Sequence, residues 1–152
     1  MTFDERIAKL NSMIADARRI VFFTGAGIST GSGIPDFRSA NGLYSTSEEA
    51  DPEYMLSSDC LYMQPAKFYK YLREHMNFSK AEPNIAHRKI SDLQLTRTVS
   101  VITQNIDGLH QAAGSKVVLE LHGSVLRNYC ENCGKFHDLK FIAKSRLNTF
   151  EK

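Results

Sequence analysis

The side chains best equipped for chemistry fall in four short stretches. The first, "FFTGAGISTGSGIPDFRS" from Phe22 to Ser39, sets glycines directly behind an apolar run. Gly25 and Gly27 permit a tight turn and let backbone N–H groups approach an anion closely. The dinucleotide fingerprint G-x-G-x-x-G is not completed, because Thr30 holds the third glycine position and Gly31 comes one residue late. On spacing alone the stretch is a phosphate-binding turn or a strand-to-loop turn that uses glycine for backbone freedom. Its continuation adds three polar or aromatic groups. Arg38 can grip a phosphate through two parallel hydrogen bonds, or stand as ordinary surface charge. Phe37 can cover a reactive ring and exclude water, or pack in the core. Asp36 can accept from a ribose or simply form a turn.

The second and third stretches, "TQNIDGLH" and "LELHGS", contribute Gln104, Asn105, Asp107 and His122. An imidazole with an ordinary pKa near 6.5 suits His122 to general-base work. Asn105 can bind a sugar or a water, or cap the helix that follows. Asp107 is expected in the first turn of that helix, where the dipole favours a carboxylate. The other four histidines are expected to be structural: His75 on a helix surface, His87 in helix packing, His110 on a helix surface and His137 on a module surface. The fourth stretch is "CENC". Cys130 and Cys133 have the spacing with which two thiolates hold one zinc. A full structural site usually adds a second pair roughly 15–20 residues on, and no cysteine follows Cys133. His137 is either a third ligand or a surface residue. A redox C-x-x-C is the alternative, without a thioredoxin-like setting. Cys60 reads as a packed or partly exposed thiol.

These groups need elements to position them. Thr2 and Glu5 have capping-box spacing, and Ile7, Leu10, Ile14 and Ala17 share one helical face, which predicts a helix over about 4–18. Ile20 to Phe23 reads as a strand buried on both faces. Residues 25 to about 47 have no periodicity and predict a long loop with at most a short helix. A helix from Pro65 puts Phe68, Tyr69, Leu72 and Met76 on one face; another follows Pro83 and Asn84, with Ala86, Ile90 and Leu93 inward. Val99–Ile102 and Val117–Leu121 read as strands, with a short helix over Asp107–Ala113 closed by Gly114. The order gives an α/β layout with a parallel sheet. In such sheets ligands bind beyond the carboxyl ends of strands, and three strand ends here aim polar groups at one region.

Composition sets the outer bounds. The chain has 152 residues, 42% hydrophobic and 24% charged, with a formal net charge of +2. That is an ordinary globular composition, and the charge is too small to argue for nucleic acid or an anionic membrane. No apolar run approaches the roughly 20 residues that span a bilayer. The start "MTFDERIAKL" does not read as a secretory signal. Three cysteines do not make a disulfide framework, so a reducing cytoplasm is expected.

Taken together and in this order, "GAGISTGSGIPDFR", "TQNID", "LHG" and "CENC" resemble the sirtuins, the NAD-dependent protein-lysine deacylases, in their bacterial deacetylase form. The resemblance runs from about Asp4 to the end of the chain. It implies a Rossmann-like α/β fold of which the chain holds the first three strands. Residues 1–128 would be the N-terminal part of the NAD-binding domain, with a helical insert over about 40–97, and 129–152 the start of a small zinc-binding module. It implies that Gly25, Ala26, Gly27, Ser29, Asp36, Phe37 and Arg38 hold NAD, with Phe37 guarding the nicotinamide side of the ribose. Gln104 and Asn105 would contact the ribose, Asp107 the nicotinamide carboxamide, and Cys130 and Cys133 would bind zinc. His122 would be the general base, with Asn105 beside it as a catalytic residue.

The implied reaction begins with attack of an acyl-lysine carbonyl oxygen on C1′ of the ribose as nicotinamide leaves. His122 then helps a ribose hydroxyl attack the imidate, and the acyl group ends on ADP-ribose. Partners would be acyl-lysine proteins or peptides. The Tyr-x-x-Arg pair of sirtuins that remove acidic acyl groups is absent, since Leu72 follows Tyr69 and Glu74 follows Tyr71 at that spacing; a short neutral acyl group such as acetyl is expected. The family's second cysteine pair, its later sheet strands, its Gly-Ser loop and its peptide-clasping segment have no counterpart here. The chain is therefore expected to be an N-terminal portion, inactive or partial by itself, with strand one left as an exposed apolar edge. Two other readings stay open: a protein ADP-ribosyltransferase, and a non-catalytic NAD or ADP-ribose binding remnant.

Overall fold

The computed structural model describes residues 1–46, 51–76, 78 and 80–144. The last eight residues of the expected zinc module, 145–152, and Ser47 at the end of the expected loop lie outside them.

Helix α1 spans Phe3–Asp16 and starts as the capping box requires: Glu5 N–H donates to Thr2 Oγ1 at 3.3 Å, and Thr2 N–H donates to Glu5 Oε2 at 2.7 Å. It buries no residue; Ile14 and Ala17 are half covered, whereas Phe3, Ile7, Leu10 and Met13 are exposed. Arg97 ties down its C-terminal end, Nε donating to Ile14 O at 2.8 Å and Nη2 to Ala15 O at 3.1 Å. A cation at carbonyls left over by the helix is favourable on both charge and hydrogen-bond grounds.

Strands β1 (Arg19–Thr24), β2 (Thr98–Thr103) and β3 (Val118–Glu120) form a parallel sheet in that order, with Phe22 opposite Val101 and Val101 opposite Val118. Alternation along the strands divides the sheet into two unlike faces. On one, Val99 and Val101 are buried with Ile90, and Phe22, Ile28, Leu93 and Val118 pack around them. On the other, Val21 is 63% and Phe23 66% exposed, and Leu119 is exposed as well. Strand β1 was expected to be buried on both faces. Among the described residues it is an edge strand with one face covered, because the helices between β1 and β2 all serve the Phe22 side or the region beyond the strand ends.

After β1 the chain turns into a 3₁₀ helix, Ala26–Ser32, which ends at Gly33 with φ of 82°. Short helices follow: α2 (Leu43–Thr46), α3 (Pro52–Met55), α4 (Ser58–Met63) and α5 (Pro65–His75). The long loop and the helix from Pro65 match expectation; α3 and α4 do not. Each of those two is one or two turns long and is specified by a cap, Asp51 and Ser57 accepting from the N–H groups of Glu53 and Cys60. The three helices α3–α5 share a small core of Met55, Cys60 and Tyr71, so Cys60 is a packed thiol. Helix α6 (Ile85–Asp92) has Asn84 as its cap, and α7 (Leu109–Ala112) follows β2. Helix α7 is shorter than predicted: Asp107 lies before it, and Gly108 with φ of 72° makes the entry. Strands β4 (Asn128–Tyr129) and β5 (Phe136–His137) make an antiparallel hairpin, and α8 (Leu139–Lys144) buries Leu139 and Ile142. No helix among the described residues is long and apolar enough to cross a membrane.

Candidate functional site

The carboxyl ends of the three parallel strands open onto one cavity of about 890 Å³. Ala26 and Ser29 line it from the glycine-rich turn, Asp36, Phe37 and Arg38 from the loop beyond, and Gln104, Asn105, Asp107 and His122 from the ends of β2 and β3. The structure thus brings nine of the eleven predicted residues together. Gly25 and Gly27 lie outside the lining, on the turn that shapes it. Helices α3 to α5 form the opposite side with Leu56, Phe68, Tyr69 and Leu72, and Val125 and Ile142 close the end. Polar groups on a rigid sheet facing an apolar helical wall are the usual makings of a small-molecule site.

Ser29 is the hub of the polar side. It is 1% exposed, donates to Asp107 Oδ2 at 2.7 Å and accepts from Asn105 Nδ2 at 3.0 Å. Asp107 uses its other oxygen to accept from Leu109 N–H at 2.9 Å, so the carboxylate caps the start of α7 from outside it. That corrects the expectation of a first-turn aspartate. Asn105 is fixed at its backbone too, its N–H donating to Thr103 Oγ1 at 3.1 Å. It caps no helix.

Asp36 and Phe37 are held by a second chain reversal. Leu43 N–H donates to Asp36 O at 2.8 Å and Tyr44 N–H to Phe37 O at 3.0 Å. Gly42 permits this crossing, since a Cβ there would stand 2.8 Å from Asp36 Oδ1 and from the Phe37 carbonyl. The Phe37 ring leans on Tyr44 with centroids 5.8 Å apart. Asp36 Oδ1 accepts from Ser39 N–H at 2.9 Å, and the Ser39 hydrogen bonds hold its carboxyl below the usual range. Arg38 is exposed at the cavity margin, with no ion-pair partner among the described residues. His122 is exposed and follows β3 immediately before Gly123, whose φ is 74°.

Two histidines lie beneath the glycine-rich turn. His110, expected on a helix surface, is 1% exposed; His87, expected in helix packing, is fully buried. Helix α7 is a single turn whose Leu109–His110 side packs on α6, so sequence spacing could not tell its inner face from its outer. The two rings meet edge-on, centroids 4.9 Å apart, and His110 Nε2 lies 2.9 Å from Thr24 Oγ1. Burial pushes the His110 imidazole down to about 4, and burial lowers His87 as well. Asn84, which caps α6, reaches the turn from the same side: its Nδ2 donates to Ile28 O at 2.7 Å and to Ser32 Oγ at 3.0 Å. None of Thr24, Asn84, His87 or His110 stood out as functional in the sequence. The only signal was the helix-cap position of Asn84.

Cys130 and Cys133 fall in the turn between β4 and β5, which closes through Cys130 N–H to Lys135 O at 2.9 Å and Gly134 N–H to Cys130 O at 2.8 Å. Hydrogen bonds from the Cys133 and Asn132 backbone lower the Cys130 thiol. His137 is half-buried and stacks on Phe141 with centroids 4.0 Å apart. No group of three or more metal-ligating side chains occurs among the described residues.

The likeness to known proteins falls on these same elements. A model of the Sir2 family matches residues 25–150. The chain is 50% identical over 141 residues to an NAD-dependent protein deacetylase of Listeria monocytogenes serovar 1/2a, a match covering 93% of this chain and 61% of that protein. A solved structure described as "Structural Basis for the Mechanism and Regulation of Sir2 Enzymes" superposes with a TM-score of 0.80 at 41% identity, over 93% of this chain and 57% of that one. Another, "Sir2 bound to acetylated peptide", gives a TM-score of 0.74 at 37% identity, over 88% and 52%. The chain therefore spans about three-fifths of the length of the relative it matches. Its sheet and helices are the Rossmann-like α/β arrangement of those structures, and the chain belongs to the Sir2 family.

Proposed function

We propose that this chain carries the catalytic face of an NAD-dependent protein-lysine deacetylase, which moves an acetyl group from lysine to ADP-ribose and releases nicotinamide. The observation that carries the reading is the convergence of Ser29, Asn105, Asp107 and His122 from three strand ends on one cavity. NAD fits the donor set. The turn at Gly25 and Gly27 and the Arg38 guanidinium suit its phosphates, while Gln104 and Asn105 suit a ribose. Asp107 and Ser29, tied to each other, would face the carboxamide. Ala26 would lie against the cofactor, Asp36 would steady the loop that carries Phe37, and Phe37 would shield the reacting ribose from water.

In this mechanism the chain's own residues supply position and one proton acceptor. The polar groups are already hydrogen-bonded to one another, so they need little rearrangement as charge develops on the ribose. His122, exposed at a strand end beside a glycine, can reach a ribose hydroxyl and take its proton while the hydroxyl attacks the acyl carbon. Asn105, held by Ser29 and Thr103, would orient that ribose. The acyl-lysine would enter against Phe68, Tyr69 and Leu72, an apolar wall suited to acetyl. Cys130 and Cys133 would supply two thiolates to a structural zinc, which takes four donors in all and has no part in the reaction. The lowered Cys130 thiol fits that task. A cytoplasmic location is consistent with thiols that must stay reduced.

The test is a titration of the 152-residue chain with NAD, read at the backbone amides of Ser29, Asn105, Asp107 and His122. Saturable shifts at these four are expected; unmoved amides would overturn the assignment. Nicotinamide release with an acetyl-lysine peptide then separates the reactions. Label from NAD recovered on acetyl-ADP-ribose supports deacetylation. Label retained on protein would favour ADP-ribosyl transfer, and binding without release a cofactor-binding remnant.

A further inference from the structure

The buried histidine pair is a titratable cluster that the proposed mechanism leaves unused. Asn84 N–H donates to His87 Nδ1 at 3.4 Å, so His87 Nδ1 carries no proton and its Nε2 does. The two ring nitrogens without a partner among the described residues are His87 Nε2 and His110 Nδ1, one on each of two touching rings. His110 Nε2 and Thr24 Oγ1 are hydrogen-bonded at 2.9 Å. Thr24 is 9% exposed and is the last residue of β1; its carbonyl accepts from Gln104 N–H at 3.0 Å.

We propose that His110 is a positioning residue for the glycine-rich turn. Through the bond at its Nε2 it holds Thr24, the strand end from which the turn departs, while His87 behind it steadies Asn84 and through Asn84 the far side of the turn at Ile28 and Ser32. The turn is thereby tied at its start by His110, at its middle by Asp107 through Ser29, and at its end by Asn84. Its bearing on catalysis rests on the functional reading above; the tether itself does not.

A second proton on the pair would place a charge on two packed rings. Asp107 is the charged neighbour that would favour it, while burial of both rings and, for His110, the neighbouring His87 oppose it. The charged groups on the flanking elements do not help: Arg88, Lys89 and Asp92 of α6 and Arg19 of β1 are exposed, and Glu120 of β3 is engaged by Arg127 and Gln111. For a base whose folded pKa is lowered, the unfolded chain binds the proton first, so the folding stability is full above about 6.5 and falls as pH drops towards about 4, while the tether itself holds until His110 takes up its proton near 4.

The test uses His110→Ala, His110→Gln and the unaltered 152-residue chain, with amide hydrogen exchange and histidine ¹⁵N spectra. His110→Ala is expected to speed exchange of the Ile28, Gly33 and Ile34 amides about tenfold or more while the β2 amides of Val101 and Ile102 hold. His110→Gln, whose Nε2 can donate in the same place, is expected to restore much of that protection. Loop exchange unchanged in the alanine variant, or no rescue by glutamine, would overturn the proposal. If His110→Ala does not fold, the unaltered chain decides. Its spectra must show His110 uncharged down to about pH 4; charging near 6.5 would overturn it. No readout here needs NAD, so a tethered turn in a chain that ignores NAD would sink the functional reading alone.

Discussion

Ser29 shows how a small residue acquires a role through its partners. Its hydroxyl links the Asn105 amide to the Asp107 carboxylate, and it does this while 1% exposed. Replacing it with alanine removes one oxygen but strands two groups, an oxygen of the buried Asp107 carboxylate and the Asn105 amide N–H. Leaving a buried partner unsatisfied costs about 1–3 kcal/mol. Ser29→Ala is therefore expected to lower thermal stability by that order and to weaken NAD binding by at least about tenfold, since each 1.4 kcal/mol is a factor of ten. Calorimetric unfolding and an NAD titration measure the two. Unchanged affinity would show that the Ser29–Asp107 pair is purely structural. A serine-to-threonine change keeps the hydroxyl but adds a methyl to a packed position, so it should retain binding better than alanine only where that methyl finds room.

At the scale of elements, the sequence was most informative where local chemistry and tertiary packing agree. The capping box at Thr2 and Glu5, the proline opening α5 and the helix that follows Pro83 and Asn84 all appear where they were read. The three strands were legible as short apolar runs, and their polar ends defined the cavity before any coordinates did. Helices α3 and α4 were not legible, because each is too short to show a 3.6-residue period. The inner face of α7 was hidden for the same reason, which is why His110 was misplaced. Gly42 was also missed, since only the crossing backbone explains it. A Cβ at 42 would stand 2.8 Å from the Phe37 carbonyl, where the neighbour is backbone and cannot swing aside. Gly42→Ala must therefore open the reversal that holds Asp36 and Phe37, at a cost of about 1–3 kcal/mol for overpacking. The expected result is a loss of NAD affinity with little change in the amide spectrum of β2 and β3. An alanine variant that binds NAD normally would show that the Phe37 loop can adopt its bound position without this crossing.

The whole molecule presents two surfaces of opposite character. The carboxyl ends of the strands are polar and converge, whereas the back of the sheet is apolar and, among the described residues, open. Val21, Phe23, Leu119 and, at its margin, Val117 and Leu121 are all between 47% and 66% exposed. Among the described residues strand β1 also stands at the edge of the sheet beside this face. Contiguous apolar surface next to an unpaired strand edge favours association with another chain. The drive is in the side chains and not in net charge, which at +2 gives little repulsion. The 152-residue chain is thus expected to self-associate at micromolar concentration, reversibly at first, with a strong dependence on the residues at positions 21 and 23. The double change Val21→Lys with Phe23→Glu places charges on the open face and leaves Phe22, Val99 and Val101 on the covered face untouched. It should shift sedimentation towards the monomer while preserving the far-ultraviolet spectrum and the Ser29–Asp107 site, which lies past the ends of the strands. A chain that is monomeric before the change, or a variant that associates as strongly as the original, would show that this face does not drive assembly. The same variant tests the separation of the two surfaces. If the sheet holds its shape with charges on its back, NAD affinity should be unaltered, because none of the nine cavity residues projects from the open face.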